Sequence, residues 1–594
     1  MRAWKDALCL RSEPMFLGTS PLGADSRCNP ISRTFAVPIV ALLALAIAAP
    51  AHAYDLIFNG AFETIADAPQ GDADAARFLT MATFGPTPAE IAHVRAVGIG
   101  QWIDQQLAMP PSLERPAVEA LDGGLDNPGQ GDRRAQWFKN AITAPDQLRQ
   151  RMAWALSQIL VASDQGNRLA GDPVALAEYY DVLARDAFGY YAGNVFHPGT
   201  YPTLLHDVTY SPAMAKMLTY VQNDKGNMAL NLSPDENYAR EVMQLFSIGL
   251  IERNIDFSPK LQDGNPIPTY DQGIVTASAH VFTGLSYDPN HSDGYHSNPT
   301  RGDRWTIADY LPLYCYETHH DEAPKTVLDG NRIDNPPPNC DADITQLLGL
   351  IANHPNVAPF ISRQLIQRLT TSNPTPGYIA RVATVFLQSN PNGYGDLGAV
   401  ARAILTDPEA QPGATVPPPY VFGKAREPLL KLTALWRYYN GAAQNGAYAV
   451  SPAKAYGQAP LDSPSVFNFY LPDYLPPGEM GAAGLFGPEF QITSESNIVA
   501  TANDLMQRAN AYVGNPDVQP STIAIDLSPL FAKANDPAAL VAQVDHDLMS
   551  GAMSAAMNTR LVQMVGAIPS SNPVARVTGL LQVVLASPEF SIQK

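Results

Sequence analysis

The chain has 594 residues, 46% of them hydrophobic, and a formal net charge of −19. That apolar content is enough to bury a core and excludes a disordered chain. The acidic excess repels phosphate backbones and no basic stripe offsets it, so no nucleic-acid partner is expected.

In chain order, Arg33 precedes an apolar run from Phe35 to Ala49, and Ala51-His52-Ala53 offers a cleavage site of the A-x-A kind. Residues 1–53 are therefore expected to be a signal peptide, with an uncleaved anchor as the alternative. The first reading predicts a periplasmic or extracellular protein. The run is short for a membrane span and no later stretch approaches that length, so the cleaved chain is not expected to be an integral membrane protein. Residues 54–71 read as a short leader with a strand-like Leu56-Ile57-Phe58.

Residues 72–253 read as an N-terminal helical half. Thr87-Pro88-Ala89-Glu90 is a capping box with proline at the first helical position. Leu148, Met152, Ala155, Leu156 and Ile159 lie at core spacing on a helix from about Pro145 to Val161. Asp172-Pro173 and Ser211-Pro212 open two more helices. The segment from Ser233 to Gly249 predicts a complete helix, with Ser233 as N-cap, Glu236 closing a capping box and Gly249 ending it. On it Tyr238, Val242, Leu245 and Phe246 make an apolar stripe, and Asn237, Glu241 and Gln244 share a polar one.

Residues 254–343 change character: Pro, Asn, Asp and Gly dominate. One helix, about Asp271 to Phe282, and one short hairpin are expected in an otherwise irregular excursion. Loops of this length are usually functional or stapled. Cys9 and Cys28 fall in the targeting segment, leaving Cys315 and Cys340 as a disulfide pair in an exported chain. Residues 344–594 read as a C-terminal helical half, with Pro355, Pro376, Pro537 and Pro573 each opening an apolar-periodic run. The fold class predicted is mainly α: a multi-helix array with long irregular loops and few short strands.

No H-E-x-x-H, nucleophile elbow, P-loop, dinucleotide fingerprint or C-x-x-C occurs in the chain. The richest chemical cluster is His319-His320-Asp321-Glu322, inside the proposed disulfide loop. Imidazoles and carboxylates ligate zinc and other divalent metals, but neighbours in sequence rarely share one ion, so remote partners are needed. His280 and His354 are the candidates for further metal ligands, and Glu241 for a catalytic acid/base or ligand. The competing reading has His320 and Asp321 organising a loop, with Lys325 pairing Asp321. Asn237 and Arg240 are candidate ligand-binding residues; a plain Glu236–Arg240 helix pair is the alternative. Asp545-His546-Asp547 reads as solvated surface, because helix neighbours point in different directions. Trp305, Tyr310, Tyr314 and Tyr316 either stack on sugars or a partner, or anchor their own loop.

Several segments together resemble a bacterial secreted family known as domain of unknown function 1800. They are Ala76-Arg77-Phe78-Leu79 through Thr87, Ser211-Pro212-Ala213-Met214, Asn237-Tyr238-Ala239-Arg240-Glu241, His320-Asp321 with Lys325, Ser463-Pro464-Ser465-Val466-Phe467, and Ser587-Pro588-Glu589-Phe590. Gln244 departs from the family pattern, where a glutamate is expected. The resemblance implies a mostly helical exported protein and a secreted sulfatase-like partner. Two functions are open: an envelope or extracellular accessory protein that binds a partner or polymer, and a metal-dependent hydrolase built on the His/Asp/Glu residues. The second requires His320, Asp321, Glu241 and His280 or His354 to meet in one pocket.

Overall fold

The computed structural model describes residues 69–594 except 122–127, 167, 228, 230, 298–308, 389–391 and 415. The signal peptide, most of the leader and Trp305 lie outside the described residues. The described residues form one compact unit, with a main core of buried side chains from Ala75 to Phe590 and a small separate cluster of Val118, Val174 and Ala177. The fold is mainly α, with strands confined to short antiparallel pairs. Among the described residues no helix is long and apolar enough to cross a membrane.

Proline and cap residues set most helix starts. Thr87 accepts from the Glu90 N–H and opens Pro88–Val97. Proline at the start also opens Pro173–Phe188, Pro212–Met217, Pro537–Met549 and Pro573–Leu585, where its missing N–H would be unpaired anyway; Asp536 and Asn572 add a side-chain cap, whereas Asp172 and Ser211 do not. The helix Gln147–Ser157 is buried along its whole length. Its Trp154 packs edge-on against Trp137 at 5.2 Å, which meets Phe84 at 5.1 Å, while Phe138 reaches Trp436 at 5.9 Å. Each such ring contributes roughly 1.5–3 kcal/mol by leaving water. These rings come from residues 84 to 436, so the core is shared along the chain.

The helix expected from Ser233 to Gly249 is shorter, Asn237–Gln244. Ser233 does not cap it. Asp235 Oδ1 takes the Asn237 N–H at 2.8 Å, and Glu236 turns instead to Gln272, Thr276 and Arg240. Gly249 does take a left-handed conformation, φ +70°, beyond an irregular last turn.

The excursion holds more order than one hairpin. Leu261–Gln262 pairs with Asn265–Pro266, Leu285–Ser286 with Tyr314–Cys315, and Lys325–Thr326 with Arg332–Ile333. Its helix, Gln272–Val281, is capped by Asp271 and packs on Asn237–Gln244. Cys315 is bonded to Cys340, the first residue of the helix Cys340–Ala352. The excursion is therefore pinned to the helices at both its middle and its end.

Candidate functional site

The metal-ligand candidates go to separate partners. Thr283 and Gly284 leave the helix Gln272–Val281 and run against His320. Gly284 has φ +90°, and a Cβ there would stand 3.0 Å from the Tyr316 carbonyl and 3.1 Å from His320 Cβ. This close approach buries His320. Its Nδ1 donates to the Thr283 carbonyl at 2.9 Å, and its Nε2 lies 3.2 Å from Asp343 Oδ2. Lys325 Nζ donates to the same Asp343 oxygen at 3.1 Å and to the Asp321 carbonyl, and Asn335 donates to Asp343 Oδ1 at 2.6 Å. Burial works against the Asp343 charge, yet Asn335, His320 and Lys325 hold its pKa below the ordinary value.

Asp321 faces the other way, onto the His280 Nδ1 at 2.5 Å. That hydrogen bond pushes Asp321 down to about 2 against burial, with the Ala323 N–H adding to it. Lys325 thus bonds Asp321 through the backbone and pairs with Asp343 through its charge. Cys315 and Cys340 bring sulfur close to His320, but joined in a disulfide they supply no thiolate. His319 turns to Asp224. His354 follows the helix Cys340–Ala352, whose 1.5 Å rise per residue carries it roughly 20 Å from Cys340. There its Nδ1 accepts from the Asn356 N–H at 3.1 Å, and burial lowers its pKa.

The candidates on the signature helix also divide. Arg240 reaches Glu236 at 3.3 Å and Gln272 at 2.9 Å, and Asn237 points to Thr219 at 3.5 Å. Glu241 is buried, and its Oε2 has no hydrogen-bond partner among the described residues. Burial raises its pKa, opposed by Arg240. The hydroxyl of Tyr270 is likewise buried without a partner; burial pushes it up to about 12, with Glu241 adding to the effect.

The aromatic residues of the excursion split between two roles. Tyr310 anchors: its hydroxyl donates to Glu119 at 3.0 Å and the Arg115 guanidinium covers its ring at 4.4 Å. Tyr314 and Tyr316 belong to a continuous ring cluster. Tyr314 meets Tyr316 at 5.0 Å, Tyr316 meets Tyr295 at 5.4 Å, Tyr295 stacks on His319 at 3.7 Å, and His296 meets His319 at 5.2 Å. Tyr314 and His296 are exposed while Tyr295 between them is buried, so the cluster opens to solvent at its two ends. Asp224 sits at its edge.

Sequence reading misses Asp224 and His296; the only local signals are a turn at Asp224-Lys225-Gly226 and a Tyr295-His296 pair. It also misses a buried ion cluster. Glu427 Oε2 accepts from Trp154 at 2.9 Å, Gln158 at 3.0 Å and Gln458 at 2.8 Å. Lys424 Nζ lies 2.9 Å from Glu489 and donates to the carbonyls of Gln367 and Arg368. Arg151 donates to the Arg368 carbonyl at 2.6 Å, and Arg368 covers the Tyr470 ring at 4.6 Å. Burial raises the Glu427 pKa, but Lys424, Arg151 and Arg368 outweigh it and leave the value below ordinary. The available signal was charge at core spacing: Arg151 and Arg368 interrupt otherwise apolar helix faces. Asp547, read as surface, is also buried and accepts from Tyr438 at 2.6 Å and Tyr439 at 3.0 Å.

A helical fold with an aromatic, stapled excursion defines this chain structurally. The family described as Protein of unknown function (DUF1800) matches residues 77–592, and the chain belongs to it. No curated protein and no solved structure matches.

Proposed function

We propose that this is an exported accessory protein whose stapled excursion binds a carbohydrate polymer. The observation that carries the reading is the open ring cluster from Tyr314 to His296, held on backbone tied by the Cys315–Cys340 bridge. Aromatic faces stack on the C–H faces of sugars, and the Asp224 carboxylate beside them accepts from hydroxyls. The disulfide and the expected signal peptide support an oxidising compartment outside the cytoplasm. A secreted sulfatase-like protein is the competing partner, proposed from the family alone.

The hydrolase reading has less support. Its ligands His319, His320, Asp321, His280 and His354 have different partners, and Glu241 bonds none of them. Co-sedimentation with insoluble cell-wall polysaccharides tests the binding reading. The wild-type chain is expected to sediment with at least one polymer, and Tyr314→Ala to weaken that by roughly tenfold, about 1–1.5 kcal/mol. Equal sedimentation of both chains, or of neither, contradicts it.

A further inference from the structure

We infer that Asp224, His296 and His319 form a binding site for a divalent transition ion of the zinc class. The Nδ1 of His319 lies 3.1 Å from Asp224 Oδ2, and the Nε2 of His296 lies 3.6 Å from the same oxygen. All three ligand atoms fall within 4.8 Å of one another. Two ligands of a tetrahedral ion bound at about 2.1 Å stand about 3.4 Å apart, so these separations bracket the required value. Two imidazoles and one carboxylate are a borderline donor set that suits zinc better than calcium or magnesium. Three protein ligands leave a fourth position for water or a hydroxyl of a bound molecule.

The ligands are positioned from three separate segments. His319 ends a short 3₁₀ turn, Glu317–His319, and its carbonyl accepts from the Lys225 N–H at 2.9 Å. Tyr295 lies flat on its imidazole, with only 5° between the planes. The Asp224 segment is held by the Gln222 N–H on the Leu285 carbonyl at 2.8 Å and the Gly284 N–H on the Asn223 carbonyl at 3.0 Å. His296 is 67% exposed at its side chain and free to complete the set. A simple His–Asp pair would need one of these rings and a proton; the ion uses both rings in their neutral form and releases protons on binding. Lys225 is the neighbouring cation, on the exposed side of the turn.

This site shares Asp224, His296 and His319 with the proposed binding face, but its test uses no polymer, so either reading can fail alone. Zn²⁺ is titrated calorimetrically into the metal-stripped chain with its disulfide intact, and Co²⁺ is followed by its visible absorption. One ion per chain is expected. His319→Ala and His296→Ala should each weaken it by at least roughly tenfold, since even outer-sphere changes cost 10–100-fold. His206→Ala removes a comparable exposed pair, His206 to Asp207 at 2.9 Å, and should leave binding unchanged. Because His296 is exposed, its variant folds even if His319→Ala does not. Absence of a stoichiometric ion, or binding undiminished in His296→Ala, overturns the assignment.

Discussion

The indole Nε1 of Trp154 donates to Glu427 Oε2 at 2.9 Å across 273 residues of chain. The bond ties an early helix to the start of the helix Pro428–Tyr438. It also fixes the carboxylate that Lys424 and Arg151 face, each 4.0 Å from Oε1. Glu427→Gln keeps the shape but leaves Lys424 with Glu489 alone and Arg151 with no ion-pair carboxylate among the described residues. The expected cost is about 3–5 kcal/mol, because an uncompensated charge stays buried. Urea unfolding reads it as a lowered midpoint; an unchanged midpoint would mean that the cluster is held by packing alone.

The Cys315–Cys340 bridge closes a separation of 25 residues. In the chain-entropy account, Cys315→Ser with Cys340→Ser costs about 3 kcal/mol. The loss should be felt first in the excursion, seen as faster tryptic cleavage after Lys325 and Arg332. Cleavage rates equal to the wild type would show that the helices alone hold this segment.

How far these features can be read without a structure depends on their range. Helix starts at Thr87-Pro88, Asp536-Pro537 and Asn572-Pro573 are legible because cap and proline act within one turn. The cysteine pair is legible by counting. The start at Ser233 is not, since Glu236 is drawn to Gln272 and Thr276 on another helix, 36 and 40 residues away. His319 stands out locally, but its partner Asp224 lies 95 residues back. The motif His319-His320-Asp321 looks like one site and is three, because successive side chains leave an irregular backbone in different directions. Charges in the core, such as Arg151, are visible only as breaks in an apolar stripe.

Acid stability should depend on Asp321. Its carboxyl titrates at about 2 in the fold against an ordinary 3.8, so the pair with His280 stabilises above roughly pH 4. That contribution falls away as the pH drops through the folded value. Asp321→Asn should therefore flatten the stability profile between about pH 4 and pH 2 while lowering it at neutral pH. Parallel profiles for the two chains would remove the pair from the account.

Glu241 predicts the opposite slope. Burial raises its pKa, so the fold holds the proton more tightly than the unfolded chain. Its contribution is complete below the ordinary value of 4.5 and declines as pH rises above it. Glu241→Gln should gain stability relative to the wild type at pH 8 compared with pH 4, measured by thermal unfolding. A difference independent of pH would show that the carboxyl is not the titrating group.

The central claim is that the excursion's ring cluster is the binding face. A second exposed aromatic surface serves as the internal comparison: the hairpin Tyr190–Ala192 with Val195–His197, where Tyr191 is 72% exposed. Hydrogen exchange with and without a soluble fragment of a polymer that the chain sediments with reads both surfaces at once. The account predicts slowed exchange at residues 219–225, 285–297 and 313–320, and none at 190–197. Protection confined to the hairpin, with the excursion unchanged, would contradict it.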